Sequence, residues 1–278
     1  MPNLICPVCS HPLDLTASKK SRSCEQGHLF DVAKQGYLNL LLSQHKKSKH
    51  PGDTTSMVQA RSDFLNLGHY QSITDTIISL VSKNSQEKIT HYCDLACGEG
   101  YYTHHLEQYF ASKETSIQTT GIDISSPAIK AACKRSKSIQ WLIASTRRIP
   151  LEDNSQNLVT GLFFHFDLQE VLRVLKKNGL FILVSAGENH LIELRELLYD
   201  TIKHEQKRVV SNKTMDLVHV NHTRLEQNFT LENSHSIQQL LTMTPHFWRS
   251  KPEKKQALNK ITTLNLNLDI TFDVFMKH

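Results

Sequence analysis

From residue 71 onward the apolar positions alternate between a helical and a strand period. Ile73, Ile77, Ile78 and Val81 recur at the spacing of one helix face. Strands are expected at 89–96, 119–124, 139–144, 158–164 and 180–184, with helices at 101–110 and 168–175 and a turn at Asn178-Gly179. Ser126 as N-cap and Pro127 as first helical residue open a further helix that runs to about Lys137. The last two strands are expected at 215–220 and 264–274, the second marked by alternation at Leu264, Leu266 and Leu268. Ile237, Leu240 and Leu241 suggest a short helix between them. Strands and helices in alternation imply an α/β fold with a doubly wound, mostly parallel sheet.

Sheets of this kind bind ligands at the carboxyl ends of their strands. That places Asp94, Gly98, Glu99, Gly100 and Asp123 at one crevice. The chain has ten glycines, so two within three residues are a signal. Glycines at 98 and 100 are expected to let backbone approach a ligand without an intervening Cβ, and Asp123 is placed to accept hydrogen bonds from ribose hydroxyls. A dinucleotide fingerprint wants a third glycine at position 103, which is Thr103. Asp94 and Glu99 would repel a pyrophosphate and suit a cationic ligand, so the pattern favours S-adenosylmethionine.

The first thirty residues carry different chemistry. Cys6-Pro7-Val8-Cys9 is followed by Cys24-Glu25-Gln26-Gly27-His28, two tight pairs that together supply three thiolates and one imidazole. This is a closed tetrahedral set, which predicts one structural zinc ion per chain held by Cys6, Cys9, Cys24 and His28. Lys19, Lys20 and Arg22 fall between the pairs, where a zinc ribbon places an exposed hairpin. The segment is too short for its own apolar core, so metal binding supplies most of its folding free energy.

Composition narrows the class. The chain has 278 residues, 39% of them hydrophobic and 21% charged, enough apolar mass for a real core. No run approaches the roughly 18 apolar residues of a membrane helix, and the first residues, Met1-Pro2-Asn3, lack the marks of a signal peptide. A cytoplasmic location is expected. Thirty-two Lys plus Arg against 27 Asp plus Glu give a net charge of +5, which permits nucleic-acid binding without arguing for it.

At this level of detail the sequence resembles a known family, the bacterial 23S ribosomal RNA guanine-N1 methyltransferases of the RlmA type. The resemblance lies in the run Phe30-Asp31-Val32-Ala33-Lys34-Gln35-Gly36-Tyr37 after the ribbon, and in His50-Pro51-Gly52-Asp53, Gln59-Ala60-Arg61 and Gly68-His69-Tyr70. It continues through Cys97-Gly98-Glu99-Gly100-Tyr101-Tyr102, His190-Leu191, Thr244-Pro245 and Trp248-Arg249. It implies a zinc ribbon at 1–40 that helps recognise a hairpin of 23S ribosomal RNA, a linker at 41–70, and a class I methyltransferase domain at 71–278. Carried over by position, Cys6, Cys9, Cys24 and His28 match zinc ligands, and Gly98, Glu99, Tyr70 and His190 match cofactor contacts. It also implies a homodimer as one option.

One segment departs from the family. Where an Ile-Tyr-Ala-Pro-Cys type sequence lines the pocket for the target base, this chain has Leu162-Phe163-Phe164-His165-Phe166. That segment separates an active ribosomal RNA methyltransferase from the alternative, a catalytically inactive zinc-ribbon RNA-binding protein that keeps the fold. His165 sits at the right strand end to accept a proton, and Phe163-Phe164 could stack a flipped-out base, but no catalytic residue is fixed by the sequence. Basic residues at Lys46, Lys47 and Lys49, at Lys134, Arg135 and Lys137, at Arg147-Arg148, and at Lys251, Lys254 and Lys255 are candidates for phosphate contacts.

Overall fold

The structure, a computed structural model, describes residues 4–46, 48–49, 51–113, 116–202 and 216–278. Expectations that fall on Met1 to Asn3, Lys47, His50 and Met215 lie outside these residues. The N-terminal segment forms a small antiparallel sheet of β1 (Asp14–Leu15), β2 (Ser21–Ser23) and β3 (Leu29–Asp31). The chain then contributes β4 (Leu38–Asn39), and α1 (Thr55–Asn66) and α2 (Gln71–Asn84) follow. The alternating core runs β5 (His91–Leu95), α3 (Tyr101–Ser112), β6 (Gln118–Asp123), α4 (Ser126–Arg135), β7 (Gln140–Ile143), β8 (Gln156–Leu162), α5 (Leu168–Val174) and β9 (Leu175–Ala186). After it come α6 (Ile192–Leu198), β10 (Leu217–Leu231), α7 (Ser234–Met243), α8 (His246–Arg249), α9 (Pro252–Leu258) and β11 (Leu264–Lys277).

The main sheet has the order β10-β11-β9-β8-β5-β6-β7-β4. From β4 to β9 every neighbouring pair is parallel, while β11 runs antiparallel to β9 and β10 antiparallel to β11. The parallel strands are buried on both faces, as crossover helices require. Within β5 the period of two sends Tyr92 into a cluster with Phe64, Ile73, Ile77, Leu106 and Ile270, while Cys93 and Leu95 join Ile122, Leu142, Val171 and Phe181 on the opposite face. Each such Leu, Ile or Phe contributes roughly 1.5–3 kcal/mol by leaving water.

The ribbon is packed onto this second face. Leu4, Cys6, Leu13 and Cys24 share a cluster with Leu142, Ala144, Ile149 and Leu151. Leu4 bridges Leu151, and the Ile5 amide donates to the Pro150 carbonyl at 3.1 Å. β4 pairs with β7 through Leu38 and Leu142, so the chain leaving the ribbon becomes an edge strand of the main sheet.

Several local expectations change. Ser125, not Ser126, caps α4, because its hydroxyl is the one that accepts from the Ala128 amide at 3.2 Å. Asn178 and Gly179 do not break a strand. They lie within β9, where Asn178 takes the left-handed conformation, φ +62°, and an added Cβ on Gly179 would meet the Lys176 carbonyl at 2.8 Å. Arg22 is buried rather than on an exposed hairpin, and its guanidinium donates to the Leu13 carbonyl at 2.9 Å; Lys19 and Lys20 are exposed. The strand expected to end at 220 runs to Leu231.

Candidate metal centre and cofactor crevice

Two backbone knuckles build the metal centre. The Cys6 amide donates to the His11 carbonyl at 2.8 Å and the Ser10 amide back to the Cys6 carbonyl at 2.9 Å, closing the first pair into a loop. In the second, Gly27 takes φ +79° and its amide donates to the Cys24 carbonyl at 3.0 Å, which swings His28 back toward Cys24. The Sγ atoms of Cys9 and Cys24 stand 3.6 Å apart, and His28 Nδ1 lies 3.5 Å from the first and 3.3 Å from the second. The ligand atoms of Cys6, Cys9, Cys24 and His28 all lie within 4.8 Å of one another. Burial pushes the Cys24 thiol up, but hydrogen bonds with His28, Cys9 and the Gln26 backbone together outweigh it and bring the group to about 6, toward the thiolate that a metal needs. Three sulfurs and one imidazole nitrogen at these separations fit a zinc ion with no position left for water.

The second site lies at the carboxyl ends of β5, β6, β7 and β8. A crevice of about 200 Å³ is lined by Ala96, Asp123, Ile124, Ala144, Ser145, Thr146, Arg147, Phe164 and His165. Asp123 is fixed by two backbone donors, Gly98 N to Oδ2 at 2.9 Å and Ser125 N to Oδ1 at 2.7 Å. Burial raises its pKa, and these amides pull it back. A larger opening of about 370 Å³, between α6 and the end of the β10–β11 hairpin, is lined by Glu193, Phe229 and Leu266 among others and brings no set of titratable groups together.

Tyr70 and His190 approach edge to face, with ring centroids 6.2 Å apart. The Tyr70 hydroxyl and His190 Nδ1 are both buried and find no hydrogen-bond partner among the described residues. Burial holds Tyr70 well above the ordinary phenol value and drops His190 to about 4, so both are neutral at physiological pH. Phe163 stacks on His190 at 6.2 Å and 16°, is 46% exposed, and takes φ +55°. Orphaned polar atoms of this kind are costly unless a ligand completes them, so the pair fits the polar end of a bound amino-acid-bearing cofactor.

The loop carrying His190 is pinned from behind. Asp269, fully buried, accepts both Arg224 nitrogens at 2.8 and 2.9 Å and the Asn189 amide at 2.9 Å. Arg224 holds the Asp269 carboxyl below the usual range. Gly187 has no Cβ because the Asp269 carboxylate occupies that space.

Comparison with known proteins matches residues 4–49 to the family model described as "RlmA, N-terminal" and residues 93–183 to that described as "Methyltransferase domain". YxjB of Bacillus subtilis (strain 168), which bears the name of a 23S rRNA (guanine-N1) methyltransferase, is 30% identical over 281 residues, 98% of this chain and 96% of that one. The chain belongs to that family. The 23S rRNA (guanine(748)-N1)-methyltransferase of Streptomyces fradiae is 27% identical, covering 98% of this chain and 95% of its own. The solved structure of the YcgJ protein from Bacillus subtilis superposes with a TM-score of 0.45 at 15% identity, over 72% of this chain and 96% of that one. As a methyltransferase with a class I domain and a zinc ribbon, the protein takes S-adenosylmethionine as cofactor and carries a zinc ion.

Within this methyltransferase the seven residues that the sequence singles out for the cofactor fall into two groups. Four stand at two places: Gly98 joins Asp123 at the loop between β5 and α3, and Tyr70 packs edge to face on His190. The other three are engaged within the protein. Both Asp94 oxygens are taken, by Thr103 Oγ1 at 2.6 Å and Thr160 Oγ1 at 2.8 Å, and burial raises the group to about 7. Glu99, also buried, is paired with Arg135 at 2.7 Å. Gly100 does not make room for a ligand. An added Cβ there would stand 2.6 Å from Trp141 Cη2, and φ is +80°. The electrostatic case for a cationic ligand therefore does not rest on Asp94 and Glu99.

Two residues escaped sequence reasoning as parts of the site. Arg61 of α1 pairs with Asp53, donates to the Met243 carbonyl at 3.0 Å, and stands 3.7 Å from where a Gly98 Cβ would be. The Asp53 carbonyl accepts from Ser125 Oγ at 2.7 Å. The linker thus lies over the mouth of the β5 and β6 loops. Only contacts remote in sequence create this, so no local pattern announces it. Of the basic groups, Arg135 serves Glu99, Lys251 and Lys254 pair with Asp200, and Arg147 lies on the crevice lip.

Proposed function

We propose that the chain methylates N1 of a guanine in a hairpin of 23S ribosomal RNA, with residues 1–40 as the RNA-recognising ribbon, 41–70 as linker and 71–278 as the catalytic domain. The observation that carries it is the neutral pair Tyr70 and His190, each with a buried polar atom awaiting a partner, linked through Phe163 to the Phe164-His165 wall of the crevice that holds Asp123. Tyr70, Asp94, Gly98, Glu99, Gly100, Asp123 and His190 make up the cofactor site. Tyr70, Asp123 and His190 supply the polar contacts and Gly98 its backbone, while Asp94, Glu99 and Gly100 hold the loop in shape.

When bound, the cofactor supplies a methyl group on a positively charged sulfur. The chain's own part is to align the base for in-line attack and to keep water out. The exposed face of Phe163, fixed by its stack on His190, offers a platform for the extruded guanine. Guanine N1 must lose its proton as it is attacked, and in this reading His165, the imidazole lining the crevice, takes it. Arg147 on the lip, with exposed Lys46 and Lys49 in the linker, supplies phosphate contacts that position the RNA and weaken with salt.

Among the described residues no helix is long and apolar enough to cross a membrane; we place the enzyme in the cytoplasm with its ribosomal substrate. A homodimer belongs to the same proposal, because β10 ends the sheet with an open edge among the described residues; light scattering tests it. The catalytically silent alternative draws no support from the relatives, which bear the names of methyltransferases.

The decisive experiment is mass spectrometry of 23S ribosomal RNA from cells with and without the gene. Loss of one N1-methylguanine, restored by the wild-type chain and not by a His190→Ala chain, is the expected result. Unchanged RNA would overturn the proposal.

A further inference from the structure

On the β10–β11 hairpin, two histidines and one carboxylate meet. His219 Nε2 stands 2.9 Å and His222 Nδ1 2.8 Å from the same oxygen, Oδ1 of Asp273. The three ligand atoms all lie within 4.8 Å of one another. Residues three apart on a regular strand point to opposite faces. Here they do not, because β10 carries one extra residue between His219 and Asn221. His219 therefore faces Phe275 and His222 faces Asp273, and those two partners, two apart on β11, share one face. A bulge that re-aims a side chain in this way is a local irregularity with a specific outcome.

We propose that His219, His222 and Asp273 form a second metal site, selective for a borderline divalent transition ion such as Zn²⁺, Co²⁺ or Ni²⁺. Imidazole with carboxylate suits those ions, whereas Mg²⁺ and Ca²⁺ prefer oxygen alone. Ligand atoms each about 2.0–2.2 Å from one ion stand about 3 Å apart, and both nitrogens already hold that separation from the Asp273 oxygen. All three side chains are solvent-accessible, so water completes the coordination. β11 is antiparallel to β9, and Asp273 pairs with Leu183 while Ile270 pairs with Ala186 at the crevice end. The ion is therefore displaced from the methyl-transfer site along the sheet. It ties the outermost strand to its neighbour across the bulge and takes no part in catalysis.

The test uses the full-length, zinc-loaded protein titrated with Co²⁺, followed by visible absorption and by metal content after gel filtration. A second equivalent with the weak visible bands of nitrogen and oxygen ligands is expected, without the intense thiolate charge-transfer absorption of a cysteine site. It should vanish in both His222→Ala and Asp273→Asn, whose circular dichroism should match wild type. Excess Zn²⁺ should also raise the melting temperature of wild type and not of the two variants. No second equivalent in wild type, or one that persists in both variants, overturns the proposal.

Discussion

Replacing Asp94 by asparagine separates a carboxylate kept for its charge from one kept for its shape. Asp94 is 2% exposed, accepts from Thr103 and Thr160, and titrates at about 7 rather than 3.8, burial being the largest cause. A carboxyl whose folded pKa is raised stabilises the protein fully below its unfolded pKa and loses that contribution as pH climbs through the folded value. At about 1.4 kcal/mol per pH unit, a displacement from 3.8 to about 7 corresponds to about 4 kcal/mol of stability lost between pH 4 and pH 7. The asparagine has no charge to bury. It must turn one threonine hydroxyl from donor to acceptor, at about 1 kcal/mol, and Thr160 can then donate to the Tyr92 hydroxyl, 2.9 Å away. The Asp94→Asn variant should therefore lie within about 1 kcal/mol of wild type at pH 5 and exceed it by about 3 kcal/mol at pH 8. Urea denaturation of zinc-loaded protein at both pH values reads this difference, and subtraction cancels the titrating groups that do not interact with Asp94. Equal differences at pH 5 and pH 8 would refute the burial of this charge.

Gly100→Ala forces a Cβ toward Trp141 at φ +80°, costing about 1–2 kcal/mol for the left-handed conformation and about 1–3 for overpacking; thermal melts and adenosylhomocysteine titration should both fall, and an unchanged melt would show that Trp141 yields freely. Arg224→Ala strips the buried Asp269 of its bidentate partner and should lower the melting temperature. Its cofactor Kd should rise as the His190 loop loosens, and a Kd equal to wild type would show that the loop needs no support from behind. His165→Ala should lower single-turnover methylation by about 10²–10⁴ with cofactor affinity retained; a rate within about twofold of wild type would remove His165 as proton acceptor. Cys24→Ala should abolish zinc retention, measured by metal analysis of protein purified without chelator.

Much of the fold can be read locally because parallel strands are continuous apolar runs. β5, β6, β7 and β8 stand within two residues of their expected bounds at each end. β10 resists that approach: as an edge strand most of its length is exposed, and His219 through Gln227 carry little apolar alternation to betray fifteen residues of strand. α1 is missed for a similar reason, its four buried side chains, Val58, Ala60, Phe64 and Leu65, being set among polar ones. At the site, the zinc ligands and Asp123 follow from spacing and strand ends. What does not follow is purpose. Asp94 and Glu99 carry charge in the sequence, and only Thr103, Thr160 and Arg135, nine to 66 positions away, reveal that this charge is used inside the protein.

The parallel pairing of Leu38 with Leu142 and the shared packing of Leu4 with Ala144 and Leu151 give the two halves of the molecule one mechanical frame. Ala144, which that frame supports, is also a wall of the crevice. Chelation at one end should therefore be felt as weakened donor affinity at the other, and, because such linkage is reciprocal, an enzyme saturated with methyl donor should surrender its ribbon ion more slowly than an empty one.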